Sequence, residues 1–248
     1  MNKRPIIIGA IILVVLIIVG VLIYNLVFSP KTTVADLEGI EITPVEEIEP
    51  PDPKELKIIE FKTKILEEKI AEALGKTAPL SQKDMEELTE LEIWSAGIIH
   101  LDGLEYAINL ESLDLYNNDI RDITQLAKLT KLKRLNLSHN NILKINALSQ
   151  LVELEEVNIS NNEISVIAPL GALNKLKVID ASYNYIENCD NLSHLSSVEV
   201  IKLQGNRIVD ISSLANIPNL KTLWVFENRI RDEEQFDLFT NINDFVYK

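Results

Sequence analysis

Side chains able to make specific contacts recur along this 248-residue chain at a spacing of 22. One column reads Glu92, Asp114, Asn136, Asn158, Asp180, Lys202 and Trp224; the column two residues on reads Trp94, Tyr116, Ser138, Ser160, Ser182, Gln204 and Phe226. Their chemistry is that of recognition, because large aromatics are common interface anchors. The polar stripe Asp114, Asn136, Asn158 and Asp180 could meet a cation, a sugar or a basic partner. Catalysis lacks comparable support. The chain has no nucleophile elbow, phosphate loop, metalloprotease motif or convergent acid/base set, and His100, His139 and His194 occupy different repeat positions. No enzyme activity, cofactor or metal site is expected; Asp114 and Asp180, three repeats apart, should be about 14 Å from each other. Cys189 is the one cysteine, which excludes an internal disulfide framework. It falls in a column of Leu and Ile, so a buried apolar thiol is expected. The Asn-x-Ser triplets at Asn136, Asn158 and Asn191 arise from the repeat itself.

The elements that must position these columns follow from the same period. Asn118, Asn140, Asn162, Asn184, Asn206 and Asn228 each follow an apolar triple such as Leu110-Leu113-Leu115, and an Ile stands two positions after each. L-x-x-L-x-L-x-x-N-x-I is the leucine-rich-repeat pattern. It predicts an α/β solenoid, a horseshoe with a short parallel strand per coil on the concave face and irregular or 3₁₀ segments on the convex one. Seven coils would span roughly 35 Å. The six Asn side chains are expected to bond backbone groups in the bend after each strand, as a structural ladder. Repeats are expected over 88–231, the first coil beginning at Leu88 with Ala96 in place of the Asn.

Both ends of a solenoid need covers. From Lys54 the pattern turns helical: Ile59, Leu66, Ile70 and Leu74 recur at helical spacing, Gly75 is placed to stop the helix, and Ser81 to Asp84 reads as the N-cap of a second short one. Residues 54–87 are therefore expected to form an N-terminal helical cap. At the other end Glu233 breaks an apolar column, while Phe236 and Phe239 keep the next two. Asp232 should start a helical turn and 242–247 a closing strand, making 232–248 a C-terminal cap.

Ahead of the cap, residues 5–28 contain no charge and are long enough for a transmembrane helix. Lys3 and Arg4 flank one end, so the positive-inside rule leaves 1–4 in the cytoplasm and the remainder outside it. Cleavage after Ala35 is the alternative. Residues 29–53, rich in Pro and Glu, read as an extended tether. The chain carries a net charge of −14, and beyond residue 28 the balance is 22 basic against 38 acidic groups. Such a surface repels phosphate backbones, so no nucleic acid is expected as partner.

The repeat running from Leu110 to Lys131 resembles the 22-residue repeat of the bacterial internalins. So does the entry segment Gly97 to Tyr106, while Phe61 to Lys76 followed by Pro79-Leu80-Ser81 resembles the helical cap of such surface proteins. The resemblance covers roughly 59–231 and implies a cell-surface protein, since some internalins grip a host receptor with the concave sheet. The chain lacks a Leu-Pro-x-Thr-Gly sorting signal and an immunoglobulin-like domain after the repeats, which departs from a wall-anchored invasin. The same period also occurs in intracellular phosphatase-regulating proteins; the membrane anchor argues against that setting.

Function is thus expected to be protein–protein interaction, adhesion or recognition, by a single-pass membrane protein with extracytoplasmic repeats. The alternative is a structural scaffold of an envelope or membrane complex without a diffusible ligand. Both columns named at the outset flank the third apolar strand position and should point out of the concave face. Trp224 and Phe226 are expected as the main anchors, Trp94 and Tyr116 as a second pair. Caps folded over the aromatics would favour the scaffold.

Overall fold

The computed structural model describes residues 57–248. The expected membrane helix at 5–28, the tether at 29–53 and the start of the cap at Lys54 lie outside the described residues. Among those described, no helix is long and apolar enough to cross a membrane.

Eight three-residue strands form one parallel sheet in chain order: β1 (Glu90–Glu92), β2 (Ser112–Asp114), β3 (Arg134–Asn136), β4 (Glu156–Asn158), β5 (Val178–Asp180), β6 (Val200–Lys202), β7 (Thr222–Trp224) and β8 (Asp244–Val246). Every strand pairs with the next at an offset of 22 residues, for example Leu113 with Leu135 and Leu135 with Val157. The period of the sequence is thereby the register of the sheet. Opposite the sheet lie 3₁₀ turns such as Thr124–Lys128 and Asn146–Gln150. Each regular coil turns seven apolar residues inward; in the second these are Leu110, Leu113, Leu115, Ile120, Ile123, Leu126 and Leu129, all nearly solvent-free. Stacking adds these sets into one continuous core, and so many buried aliphatics per coil supply the main driving force for folding.

The bend after each strand is closed by the repeating asparagine. Asn162 donates from Nδ2 to the carbonyls of Leu137 in the previous coil (2.9 Å) and Ile159 in its own (3.1 Å), while its Oδ1 accepts from the N–H of Ile142 at 3.0 Å. Asn118, Asn140, Asn184, Asn206 and Asn228 repeat this pattern. Each amide therefore reaches back one coil. The first coil has no predecessor, which accounts for Ala96 there; its N–H donates to Asn118 Oδ1 instead.

The residue before each of these asparagines has positive φ, with Asn117, His139, Asn161, Tyr183 and Glu227 all between 52° and 57° and Gly205 at 69°. Asn and Gly suit that left-handed conformation; His139, Tyr183 and Glu227 hold it because the hydrogen bonds on either side dictate it.

At the N-terminal end α1 (Lys64–Leu74) buries Leu66, Ile70 and Ala71. It stops at Gly75, whose φ of 64° closes the last turn. Ile59 and Phe61 do not belong to this helix, contrary to the spacing argument. They lie in an entry segment that bridges antiparallel from Ile58 to Ser81, where the Ile59 N–H donates to the Leu80 carbonyl at 2.9 Å. Thr63, still extended at φ −109° and ψ 107°, is the N-cap of the helix. The entry segment docks on the first coil at Gly103, where an added Cβ would sit 2.5 Å from the Phe61 ring and φ is 99°. Two independent reasons thus demand glycine at that point. Lys62 adds an ion pair to Asp102 at 2.9 Å.

Ser81 caps α2 (Gln82–Met85) in a reciprocal box with Asp84, and Lys76 Nζ lies 2.6 Å from Asp84 Oδ1. At the far end Asp232 caps the 3₁₀ turn Glu233–Phe239. Phe239 is buried and Phe236, Ile242 and Phe245 pack half-buried against the core. Tyr247, which the column pattern would place inside, is 38% exposed and lays its ring on Phe236 at 4.4 Å.

Two predictions follow from these caps and amides. Asn162→Ala should cost about 2–4 kcal/mol, because it strands one buried N–H and at least one carbonyl. Asn162→Asp should cost about as much, since a carboxylate cannot donate. Chemical denaturation of the full chain checks both, and a loss below about 1 kcal/mol in each would remove the ladder's structural role.

Asp84 gives a pH dependence. Burial alone would raise its pKa, but hydrogen bonds from Lys76 and Ser81 outweigh that and hold it at about 2 against the usual 3.8. A depressed carboxylate stabilises the fold above its unfolded pKa and loses that contribution as pH falls through the folded one. The loss should therefore occur between about pH 4 and pH 2 and amount to about 2 kcal/mol at most. Asp84→Asn should lower the unfolding temperature at pH 7 and flatten the acid limb in that window.

Candidate concave interface

The centre of each strand is the second apolar position, Leu113 in β2, and the residues flanking it face outward. Two outward rows result. One is the stripe read from the sequence: Glu92, Asp114, Asn136, Asn158, Asp180, Lys202 and Trp224. The other, which the sequence reading missed, contains Glu90, Ser112, Arg134, Glu156, Val178, Val200 and Thr222. Period-two alternation about Leu113, rather than about Leu115, would have found it. Together the rows floor a shallow concavity of about 390 Å³ that runs from Glu92 to Lys202.

The column expected to follow Leu115 outward behaves otherwise. Ser138, Ser160, Ser182 and Gln204 are buried, with exposures of 3–6%. The chain is already bending there, and the stripe folds over it. Asn136 Oδ1 accepts from both the N–H and the hydroxyl of Ser138, at 3.0 and 2.7 Å. Asp180 Oδ1 takes the same two bonds from Ser182, and Asn158 Oδ1 accepts the Ser160 N–H. The polar stripe thus has a structural task on one side while remaining partly open on the other. At the N-terminal end of the column two large side chains stay outside: Trp94 is 57% exposed and Tyr116 39%. Tyr116 also meets the His139 ring edge-on at 5.2 Å.

The four aromatics named from the sequence therefore divide. Trp94 and Tyr116 are exposed at the N-terminal end. Trp224 and Phe226 are half-buried. Trp224 donates from Nε1 to Asp244 of the closing strand at 3.0 Å, and Lys202 Nζ lies 4.7 Å above its ring. The same lysine is 3.8 Å from Asp180. Caps folding over both pairs, the competing expectation, describe Trp224 in part and do not describe Trp94.

Along the strand-entry rim, Lys133, Lys177 and Lys221 alternate with Glu111, Glu155 and Glu199, pairing at 2.6–2.8 Å. Partners raise the pKa of Lys133 and Lys177 and lower that of Glu111 and Glu155. Exposed pairs of this kind contribute little stability each. Cys189 is buried, and burial, with Asp190 and Asp210 nearby, pushes its thiol up to about 12. Its Sγ lies 3.6 Å from the Asp210 carbonyl. Among the described residues no group of His, Cys, Asp or Glu is arranged to hold a metal ion.

The comparisons with known proteins agree with the repeat fold. Residues 108–150 and 152–194 each match the family described as Leucine Rich repeats (2 copies). A crystal structure of the inlF internalin from Listeria monocytogenes superposes with a TM-score of 0.62 at 26% identity, covering 75% of this chain and 63% of that one. This chain thus shares the leucine-rich-repeat fold and is similar in structure to that internalin. Internalin C2 from the same organism gives a TM-score of 0.60 at 26% identity, over 76% of this chain and 94% of the other. The ectodomain of the Arabidopsis thaliana receptor kinase GASSHO1/SCHENGEN3 shares the fold at 24% identity and a TM-score of 0.52, over 58% of this chain and 19% of that one. The chain thus spans less than two thirds of inlF and nearly all of internalin C2.

Proposed function

We propose that this protein is a non-enzymatic recognition module, anchored in a membrane by residues 5–28 with its N-terminus in the cytoplasm and its repeats outside, and that it grips a protein partner with the concave sheet. The observation that carries the reading is the N-terminal half of that sheet, where Trp94 and Tyr116 stand exposed beside an open row of polar side chains. Rigid aromatics bury much area at small entropic cost, and a curved array lets several coils reach one partner. The scaffold alternative is favoured at the C-terminal end alone, where Trp224 is already engaged by Lys202 and Asp244. The Arabidopsis ectodomain was solved in complex with Casparian strip integrity factor 2; the likeness to it is one of fold.

Topology and binding are tested separately. Protease added to spheroplasts should digest the repeats, whereas protection of them would place the solenoid on the cytoplasmic side. With a partner in hand, Asn158→Arg at the centre of the sheet should weaken binding at least tenfold, and Val166→Arg off the sheet should not. Trp94→Ala should cost about 2 kcal/mol, roughly thirtyfold in affinity, and more than Trp224→Ala. Normal affinity of the Asn158→Arg variant would move the site off the concave face.

A further inference from the structure

We propose that the N-terminal end of the concave sheet is a seat for a lysine or arginine side chain of a basic protein segment, formed by the carboxylates of Glu92 and Asp114 with the rings of Trp94 and Tyr116. This deepens the recognition reading and rests on it. The molecule contains its own precedent. At the other end of the same row, the ammonium of Lys202 lies between a carboxylate and an aromatic, 3.8 Å from Asp180 Oδ2 and 4.7 Å from the Trp224 ring centre. At the N-terminal end the carboxylates and aromatics are present without the cation. Glu92 and Asp114 sit side by side in register on β1 and β2, and Trp94 and Tyr116 follow each of them by two residues.

Charge points the same way. On the outward positions of β1–β7 there are five carboxylates, Glu90, Glu92, Asp114, Glu156 and Asp180, against the cations Arg134 and Lys202. Both cations are already engaged, Arg134 with Glu90 at 3.5 Å and Lys202 with Asp180. Among the described residues Glu92 and Glu156 have no ion pair, and Asp114 accepts only neutral donors, the Tyr116 N–H and the Asn136 amide. A guanidinium or ammonium arriving from outside would meet a net negative row and, beyond it, two exposed aromatic side chains; carboxylate and ring attraction act together on a cation. An acidic or neutral aliphatic segment would gain neither. The concavity of about 390 Å³ next to this seat has room for the neighbouring residues of an extended segment.

Calorimetric titration of the full chain, held in non-ionic detergent, with amidated hexa-arginine tests this. Hexa-lysine and hexa-glutamate serve as comparisons. Saturable binding of a cationic peptide is expected, weakened at least tenfold by Glu92→Gln combined with Trp94→Ala and unchanged by Glu163→Gln, which removes one charge away from the sheet. Both altered residues are exposed, so circular dichroism and the unfolding temperature should stay as in the parent. Absence of saturable binding, equal weakening by Glu163→Gln, or equal binding of hexa-glutamate would overturn the proposal. A natural partner that loses affinity with Asn158→Arg but is indifferent to the Glu92→Gln/Trp94→Ala pair would overturn this seat while leaving concave recognition standing. A partner indifferent to both would remove the broader reading as well.

Discussion

Everything in this solenoid depends on one side-chain amide per coil bonding to the coil before it. A carboxamide carries donors and an acceptor on a short, rigid stem, and here both are used: Nδ2 serves carbonyls of two successive coils while Oδ1 takes an N–H two residues beyond the previous asparagine. Without it the tight bend after each strand would bury backbone groups with no partner. With it, the bend repeats identically, the strands keep a 22-residue offset, and the apolar columns align. The hydrophobic core supplies most of the energy, but aliphatic columns alone are tolerant of slippage; the amide ties each coil to one neighbour position.

That dependence explains why the fold was so legible in the sequence. A 22-residue period that must be kept for hydrogen bonding is visible as letters, and coil number, strand pairing and the buried position of Cys189 follow from counting. Ala96 fits the same logic, since the first coil has nothing behind it. The ends were less legible. Ile59 lies at helical spacing from Leu66 yet belongs to the bridged segment before the helix, because a single apolar residue satisfies either geometry and the decision is made by tertiary contacts. Here those are the bonds to Leu80 and the fit of Phe61 over Gly103. Tyr247 likewise occupies an apolar column but remains outside, stacked on Phe236, as its hydroxyl permits.

The outward face of the sheet was half legible, for a definable reason. The stripe from Glu92 to Trp224 was placed correctly because it alternates with inward residues on both sides. The next column was not, because alternation holds only while the backbone is extended. One residue past Leu115 the chain begins to turn into the left-handed position, and a serine there is drawn in under the stripe. Within that column the serines fit beneath Asn136, Asn158 and Asp180 and Gln204 is buried too, whereas Trp94 and Tyr116 stand out. The missed row at Glu90 to Thr222 is the corresponding gain, and with it the acidic balance of the sheet.

The two ends of the sheet thus differ in what they leave unmet. Near the C-terminal cap, Lys202, Trp224 and Asp244 satisfy one another, and closing the solenoid uses up an aromatic that would otherwise be available. Near the N-terminal cap the covering elements bind through Phe61, Gly103, Lys62 and Asp102, away from the strand row, so the cap closes the core without consuming Trp94. Under the proposed recognition role, stability and binding would therefore draw on separate residues at the N-terminal end and on shared ones at the C-terminal end. A substitution at Trp224 changes packing, charge pairing and surface together, whereas one at Trp94 changes the surface alone.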